Sequence, residues 1–279
     1  MTLEKEDMRE SLVQSALELA RRENAVVLLD LTPERVLEGV DVEIPIIFCD
    51  SHDTLDERVE NIEFLFNKTM RGLKNFRNVI YRKVLSGEPI EGTVVAIQGD
   101  ENMGFILTYD LSKSSILEDF RDAVSRVDPF TLHSVINIAL EIGKEGREGQ
   151  KIGTAFIVGD EYEVLKRSHQ LILNPFEGHP LELRDVKNRE NWETIKEFSQ
   201  LDGVFVISSD GFVLSAGRYL DVDARGVKVR AGLGGRHIAA AAITRETEAI
   251  AITVSKSGGI VRMYKDGEEM MEIDPNLFP

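Results

Sequence analysis

The stretch Gly232-Leu233-Gly234-Gly235-Arg236-His237-Ile238-Ala239-Ala240-Ala241-Ala242 joins a glycine-rich loop to a run of alanines. Alanine is the strongest helix former and lacks the bulk that holds a helix away from its neighbour. The spacing predicts a buried helix over residues 236–244. Strands flank it. Residues 204–207 and 212–216 are apolar runs separated by Ser208-Ser209-Asp210-Gly211, and 249–254 and 260–264 are separated by a turn over 255–259. A second turn at Asp266-Gly267 sends the chain back towards Ile273. Short β-branched runs bounded by Gly, Ser and Asp read as strands and hairpins. The last third therefore predicts strands and hairpins around one helix.

Further upstream, Asp128 suits a helix cap, Pro129 the first helical position and Gly143 the stop. Leu132, Val135, Ile136, Ala139, Leu140 and Ile142 supply the apolar face of that helix. A strand is expected over 152–158, a helix over 163–173 and a short helix over 190–198. Trp192 stands alone in that polar helix. The first part of the chain alternates as well. Helical spacing covers 11–22, and short apolar runs at 25–30 and 45–50 read as buried strands. The charged segment 55–85 suggests two helices, and 93–98 and 104–108 suggest two more strands. The pattern predicts an α/β protein of two domains. An N-terminal layered α/β domain would span 1–125, and a C-terminal domain would span 126–279.

The 279 residues are 42% hydrophobic and 29% charged, an ordinary balance for a chain with a sizeable core. No apolar stretch approaches the roughly 18–20 residues a membrane span needs. Met1 to Asp7 is acidic and has no apolar stretch of signal-peptide length. Cys49 is the only cysteine, which excludes an intramolecular disulfide and a multi-thiolate metal site. These features lead to the expectation of a cytoplasmic protein without a membrane partner. A net charge of −16 argues against nucleic acid as a partner. Residues 201–250, with six Lys and Arg against six Asp and Glu, net zero, so an anionic ligand is held more easily there.

Candidate chemistry gathers in that window. Gly234 and Gly235 let backbone N–H groups approach a ligand, and a helix start offers unpaired donors with a partial positive charge. Arg236 and His237 in the same turn oppose the helix dipole unless an anion fills the site. Without such a ligand, the segment is a glycine-rich loop entering a buried helix. Asp202, beside Gly203 and ahead of the strand that starts at Val204, can hold a divalent metal or take a hydroxyl proton. Equally, it can cap its own turn. Ser255, Lys256 and Ser257 can line a phosphate or simply form a hairpin loop. Asp50-Ser51-His52-Asp53 reads as a polar loop, although a metal site there is conceivable.

In this order and spacing the segments resemble the diadenylate cyclase domain, the family that makes cyclic di-AMP from two ATP molecules. The resemblance rests on Leu201-Asp202-Gly203-Val204, on Gly234-Gly235-Arg236-His237-Ile238-Ala239-Ala240, and on Val254-Ser255-Lys256-Ser257-Gly258-Gly259. Ile152-Gly153-Thr154-Ala155-Phe156-Ile157-Val158 is similar to the family's first strand, and the likeness spans residues 128–273. The chain departs from the family at several positions. Val204 stands for Ala, Gly235 for Thr, Ile238 for a second Arg, and Lys256 and Ser257 for two carboxylates. The pattern as a whole resembles the archaeal branch, in which a pyruvate-kinase-like α/β domain precedes the cyclase domain.

The resemblance implies a C-terminal mixed sheet flanked by helices, and an enzyme whose two subunits face each other across a two-fold axis, each holding one ATP. It implies Asp202, Arg236 and His237 as catalytic residues, with Asp202 on a Mn²⁺ or Mg²⁺ ion. Gly203, Val204, Gly234, Gly235, Ser255, Lys256 and Ser257 would bind ATP. The departures leave a second reading open, a nucleotide-binding sensor or scaffold that kept the fold and lost turnover.

Overall fold

Every residue of Thr154–Val158, Val204–Ile207 and Ile250–Val254 is buried, the mark of strands covered on both faces. The computed structural model describes residues 2–32, 34–48, 90–99, 104–113 and 122–277, with isolated helical positions at 73, 76, 77, 79–81 and 83. Cys49, the Asp50-Ser51-His52-Asp53 segment and, apart from those positions, the helices expected over 55–85 lie outside the described residues. The chain divides into two compact units, Met1–Glu118 with Asn276–Pro279, and Asp119–Pro275. Each is an α/β unit with its own sheet.

In the first unit, β1 (Val27–Asp30), β2 (Ile46–Phe48), β3 (Thr93–Gly99) and β4 (Gly104–Asp110) form a sheet in the order β2-β1-β3-β4. β1 runs parallel to β2 and β3, and β4 is antiparallel. Helix α1 (Thr2–Arg22) starts well before the expected Ser11. It sets Leu12, Ala16 and Ala20 against Leu28, Val95 and Ile97. Asp30, at the end of β1, is fully buried. It accepts from the Thr32 N–H and hydroxyl and from the Leu37 N–H, at 3.0, 2.6 and 2.7 Å. That carboxylate pins the following loop.

The second unit has a seven-stranded sheet in the order β11-β10-β9-β5-β7-β8-β6. Its strands are β5 (Thr154–Val158), β6 (Ser168–Gln170), β7 (Val204–Ile207), β8 (Val213–Leu220), β9 (Ile250–Val254), β10 (Val261–Lys265) and β11 (Glu268–Ile273). β5 and β7 are parallel and the other pairs antiparallel. The helices are α2 (Pro129–Glu145), α3 (Glu161–Lys166), α4 (Trp192–Phe198) and α5 (Gly235–Glu246). The alanine-rich helix is α5. Ala240, Ala241 and Ile243 lie on Ala155, Ile157, Val204, Val206, Ala251 and Tyr264.

Three expectations are corrected. The helix over 163–173 ends at Lys166, and Ser168–Gln170 forms an edge strand on β8. Pairing with β8 takes the chain out of the helix, and Arg218 of β8 donates to the Leu165 carbonyl at the helix end and to the Ser168 carbonyl of the strand, at 3.1 and 2.6 Å. Trp192 lies on a buried face, and its indole N–H donates to the Val186 carbonyl at 2.6 Å. Asp128 and Pro129 begin α2 as expected, the Asp128 carboxylate accepting from the Thr131 N–H at 2.9 Å. Gly143, however, does not end that helix; Gly146 does, at φ 66°.

Gly143 is glycine because α2 meets the turn after β9 backbone to backbone. A Cβ on Gly143 would run into the Gly259 carbonyl oxygen, and one on Gly259 into that of Gly143. Glycine to alanine inside a helix ordinarily stabilises by about 1 kcal/mol. Here the sign reverses. Gly143→Ala is expected to destabilise the chain by about 1–3 kcal/mol, the usual cost of overpacking, as read from urea unfolding.

Candidate active site

The second unit's loops bring the three motifs together at the first turn of α5. Asp202 precedes β7 with its side chain 88% exposed, and its Oδ1 accepts from the Arg236 Nη2–H at 2.9 Å. The Gly203 N–H donates to the same oxygen at 3.0 Å. Gly203 has φ 97°, and a Cβ there would strike the backbone of Gly217 and Arg218. The Asp202 carboxylate is thus held on a turn that only glycine completes. Val204 begins β7 and is buried.

Gly234 caps α5 in extended geometry without a side-chain cap, and Gly235 is its first residue. Neither has positive φ, and a Cβ on either would meet no heavy atom of the described residues within 4 Å. The fold does not require glycine at these two positions. They leave an open cradle over the unpaired N–H groups of the helix start. The first turn carries no acidic residue. The Arg236 Nε–H is buried without a hydrogen-bond partner among the described residues. An anion in the cradle would relieve both conditions.

His237 departs from the expectation. It is 5% exposed and does not add a positive charge. Its Nδ1 lies 3.0 Å from the Tyr264 hydroxyl and 2.9 Å from the Thr253 hydroxyl, and its Nε2 lies 3.0 Å from the Ser255 Oγ. Burial, then the nearby Arg262 guanidinium, pushes its pKa down to about 4. At neutral pH the ring is uncharged and ties α5 to the Ser255 turn. Consecutive residues of one helical turn thus grip the two other motifs, Arg236 at Asp202 and His237 at Ser255. Lys256 and Ser257 follow on the exposed tip of that turn. The Lys256 backbone N lies against Gly153, where β5 is about to begin.

The strands beneath were expected, but reading the sequence by motif missed the polar residues they bury. Arg262 and Tyr264 of β10, and Thr253 of β9, are buried polar residues at period-two positions in apolar strands. That alternation is the signal that would have found them. Arg262 lies opposite Thr253 on one side and Glu272 on the other.

No three His, Cys, Asp or Glu side chains among the described residues gather as a metal cage. Asp202 alone fits a hard cation that takes its other ligands from water and phosphate oxygens, as Mg²⁺ commonly does.

Residues 141–269 match the family model described as DisA bacterial checkpoint controller nucleotide-binding. The matched stretch lies within the C-terminal unit. A curated diadenylate cyclase of Methanocaldococcus jannaschii is 45% identical over 183 residues, 66% of this chain and 55% of that protein. One of Haloferax volcanii is 42% identical over 193 residues, 69% of this chain and 65% of that protein. The chain thus matches between about half and two thirds of the length of these relatives. A solved double mutant of DacA from Staphylococcus aureus is 20% identical, with a TM-score of 0.34, over 53% of this chain and 89% of that one. A likeness at that level adds nothing to the assignment. No described helix is long and apolar enough to cross a membrane.

The buried His237 has a consequence for stability. The unfolded chain binds its proton near the ordinary 6.5, the folded one only near 4. Its contribution to stability is complete above pH 6.5 and is lost as pH falls towards 4. The expected slope approaches about 1.4 kcal/mol per pH unit. Urea unfolding measured from pH 7 downwards should lose that slope in His237→Gln.

Proposed function

We propose that the chain is a diadenylate cyclase, condensing two ATP into cyclic di-AMP and two pyrophosphates. The observation that carries this reading is the convergence of Asp202, Arg236 and Ser255 on the first turn of α5. The family match and the names of the two archaeal relatives support it.

Each ATP's 3′-hydroxyl attacks the α-phosphorus of the other. The bond from that hydroxyl oxygen to phosphorus forms, the α–β phosphoanhydride bond breaks, and pyrophosphate leaves. One site holds one ATP, so two copies of the chain meet face to face about a two-fold axis. Aligning the reactants for in-line attack contributes about 7–11 kcal/mol of barrier lowering. Gly203 and Val204 line the adenosine. The N–H groups at Gly234 and Gly235, with the Lys256 and Ser257 tip, receive the phosphates. Arg236 exchanges its Asp202 partner for phosphate oxygens. The released Asp202 carboxylate orients the 3′-hydroxyl and takes its proton. His237, uncharged, positions Ser255. Asp202 would also hold the Mn²⁺ or Mg²⁺ ion, which when bound neutralises charge at the phosphates.

The N-terminal unit, read as the pyruvate-kinase-like domain over 1–125, serves oligomerisation or regulation. The second reading, a nucleotide-binding sensor, draws on Gly235, Ile238 and Ser257, which stand where the family has Thr, a second Arg and a carboxylate.

Incubation with ATP and Mn²⁺ or Mg²⁺, with mass spectrometry for cyclic di-AMP, separates the two readings. Product identifies the cyclase, whereas bound ATP without product identifies the sensor. Asp202→Asn should abolish product and leave ATP binding within a few-fold, and normal turnover would refute the role given to Asp202. Arg236→Ala should weaken ATP binding by about tenfold or more, the usual loss for one charge-assisted hydrogen bond. Unchanged affinity in calorimetry would displace Arg236 from the phosphates.

A further inference from the structure

A hydroxyl can serve a phosphate oxygen only as a donor, because the phosphate oxygen carries no proton to offer. Ser255 has one proton and two acceptor lone pairs. Which way that proton points decides whether Ser255 helps to bind a nucleotide. The residues beneath Ser255 bear on that choice.

Arg262 is 11% exposed at its side chain, and its Nη1–H donates to the Ser255 Oγ at 2.9 Å. It has no other role open to it, since a guanidinium never accepts. One lone pair of Ser255 is therefore taken. Arg262 is held in place from the far side by two carboxylates of β11. Its Nη2–H donates to Glu272 at 2.8 Å, and its Nε lies 3.5 Å from Glu269. Arg230, just before the glycine-rich loop, reaches the same two carboxylates at 2.7 and 2.8 Å. One acidic pair thus anchors both the Ser255 turn and the loop that leads into α5.

The second neighbour of Ser255 Oγ is His237 Nε2. A neutral imidazole has one donor nitrogen and one acceptor nitrogen. At the other end, Nδ1 faces two hydroxyls, Tyr264 and Thr253. A phenol is a better donor than acceptor, and burial keeps the Tyr264 phenol protonated by raising its pKa. If Nδ1 accepts from Tyr264, the Thr253 hydroxyl turns to the Arg262 carbonyl 3.5 Å away, Nε2 carries the ring proton, and the Nε2–H fills the second lone pair of Ser255.

We propose that Arg262 and Tyr264 are positioning residues that together turn the Ser255 hydroxyl proton away from the protein, so that Ser255 donates to a phosphate oxygen of the bound nucleotide. With both lone pairs occupied from beneath, the proton has no acceptor among the described residues. The opposite tautomer would spend that proton on Nε2 and leave a hydroxyl that repels phosphate. This inference rests on reading the site as a nucleotide site.

Two measurements test it. Nitrogen NMR of the His237 ring in the full chain at pH 7 is expected to show Nε2 protonated and Nδ1 bare, and the reverse assignment would overturn the proposal. The second is a double-mutant cycle in affinity for 3′-deoxy-ATP with Mg²⁺, a probe without the attacking hydroxyl. Ser255→Ala and Arg262→Met should each weaken binding by about tenfold. The double variant should be no weaker than Ser255→Ala alone, and Arg262→Lys should recover most of the loss.

If Arg262→Met costs the same with or without the serine hydroxyl, Arg262 acts elsewhere and the proposal fails. If Ser255→Ala binds like the wild type, the proposal fails while the cyclase reading survives on product formation. If the wild type binds the probe but makes no product, turnover fails and the relay is still decided by the cycle. If the wild type does not bind the probe at all, both fall. Should Arg262→Met not fold, the ring tautomer of the wild type decides.

Discussion

The start of α5 carries unpaired backbone N–H groups, no acidic side chain and no capping side chain. A helix start of this kind favours negative charge, yet this one holds an arginine and nothing anionic of its own. Asp202 answers that deficit through the pair it makes with Arg236, where the packing of α5 on β7 already brings the two segments close. His237, one residue on, is committed to the interior and fastens the Ser255 turn. The whole candidate site depends on these two neighbouring side chains taking different partners.

The two attachments differ in strength. An exposed ion pair is worth about 0–1 kcal/mol, and Asp202 is almost fully exposed. A triphosphate can displace it at little cost. The buried set of His237, Thr253, Tyr264, Ser255 and Arg262 is different, because removing one partner leaves a buried polar group unsatisfied. One side of the site is built to exchange partners and the other to stay fixed. That division suits a reaction whose catalysis is mainly alignment and charge neutralisation.

Close approach of backbones governs the same region. Gly143 meets Gly259 where α2 touches the turn beyond Ser255. The Ser255 turn is therefore fixed from α2 on one side and from α5 on the other. The alanine face of α5 does for that helix what the paired glycines do for α2. Each lets a helix sit lower on the sheet than a larger side chain would permit.

Much was legible in the residues alone. The β-branched runs and the turns between them marked β7 and β9, because strand period and turn chemistry are local properties. The start of α2 was legible for the same reason, with cap and proline adjacent in the chain. The motifs at Asp202, Arg236 and Ser255 could be named, and their family resemblance followed from order and spacing. Other features needed the folded chain. Helix α3 stops at Lys166 where Ser168–Gln170 pair with β8, far along the sequence, and Arg218 of that strand takes the Leu165 carbonyl. Gly143 marked a helix end only until Gly259 arrived beside it. His237 looked like a surface cation, since nothing in a sequence states which side of a helix will be covered. Charge state, burial and partner choice are set by what other segments bring near. For this protein the elements and the candidate residues were written locally, while the tertiary structure decided which of those residues remain charged and which are held neutral beneath them.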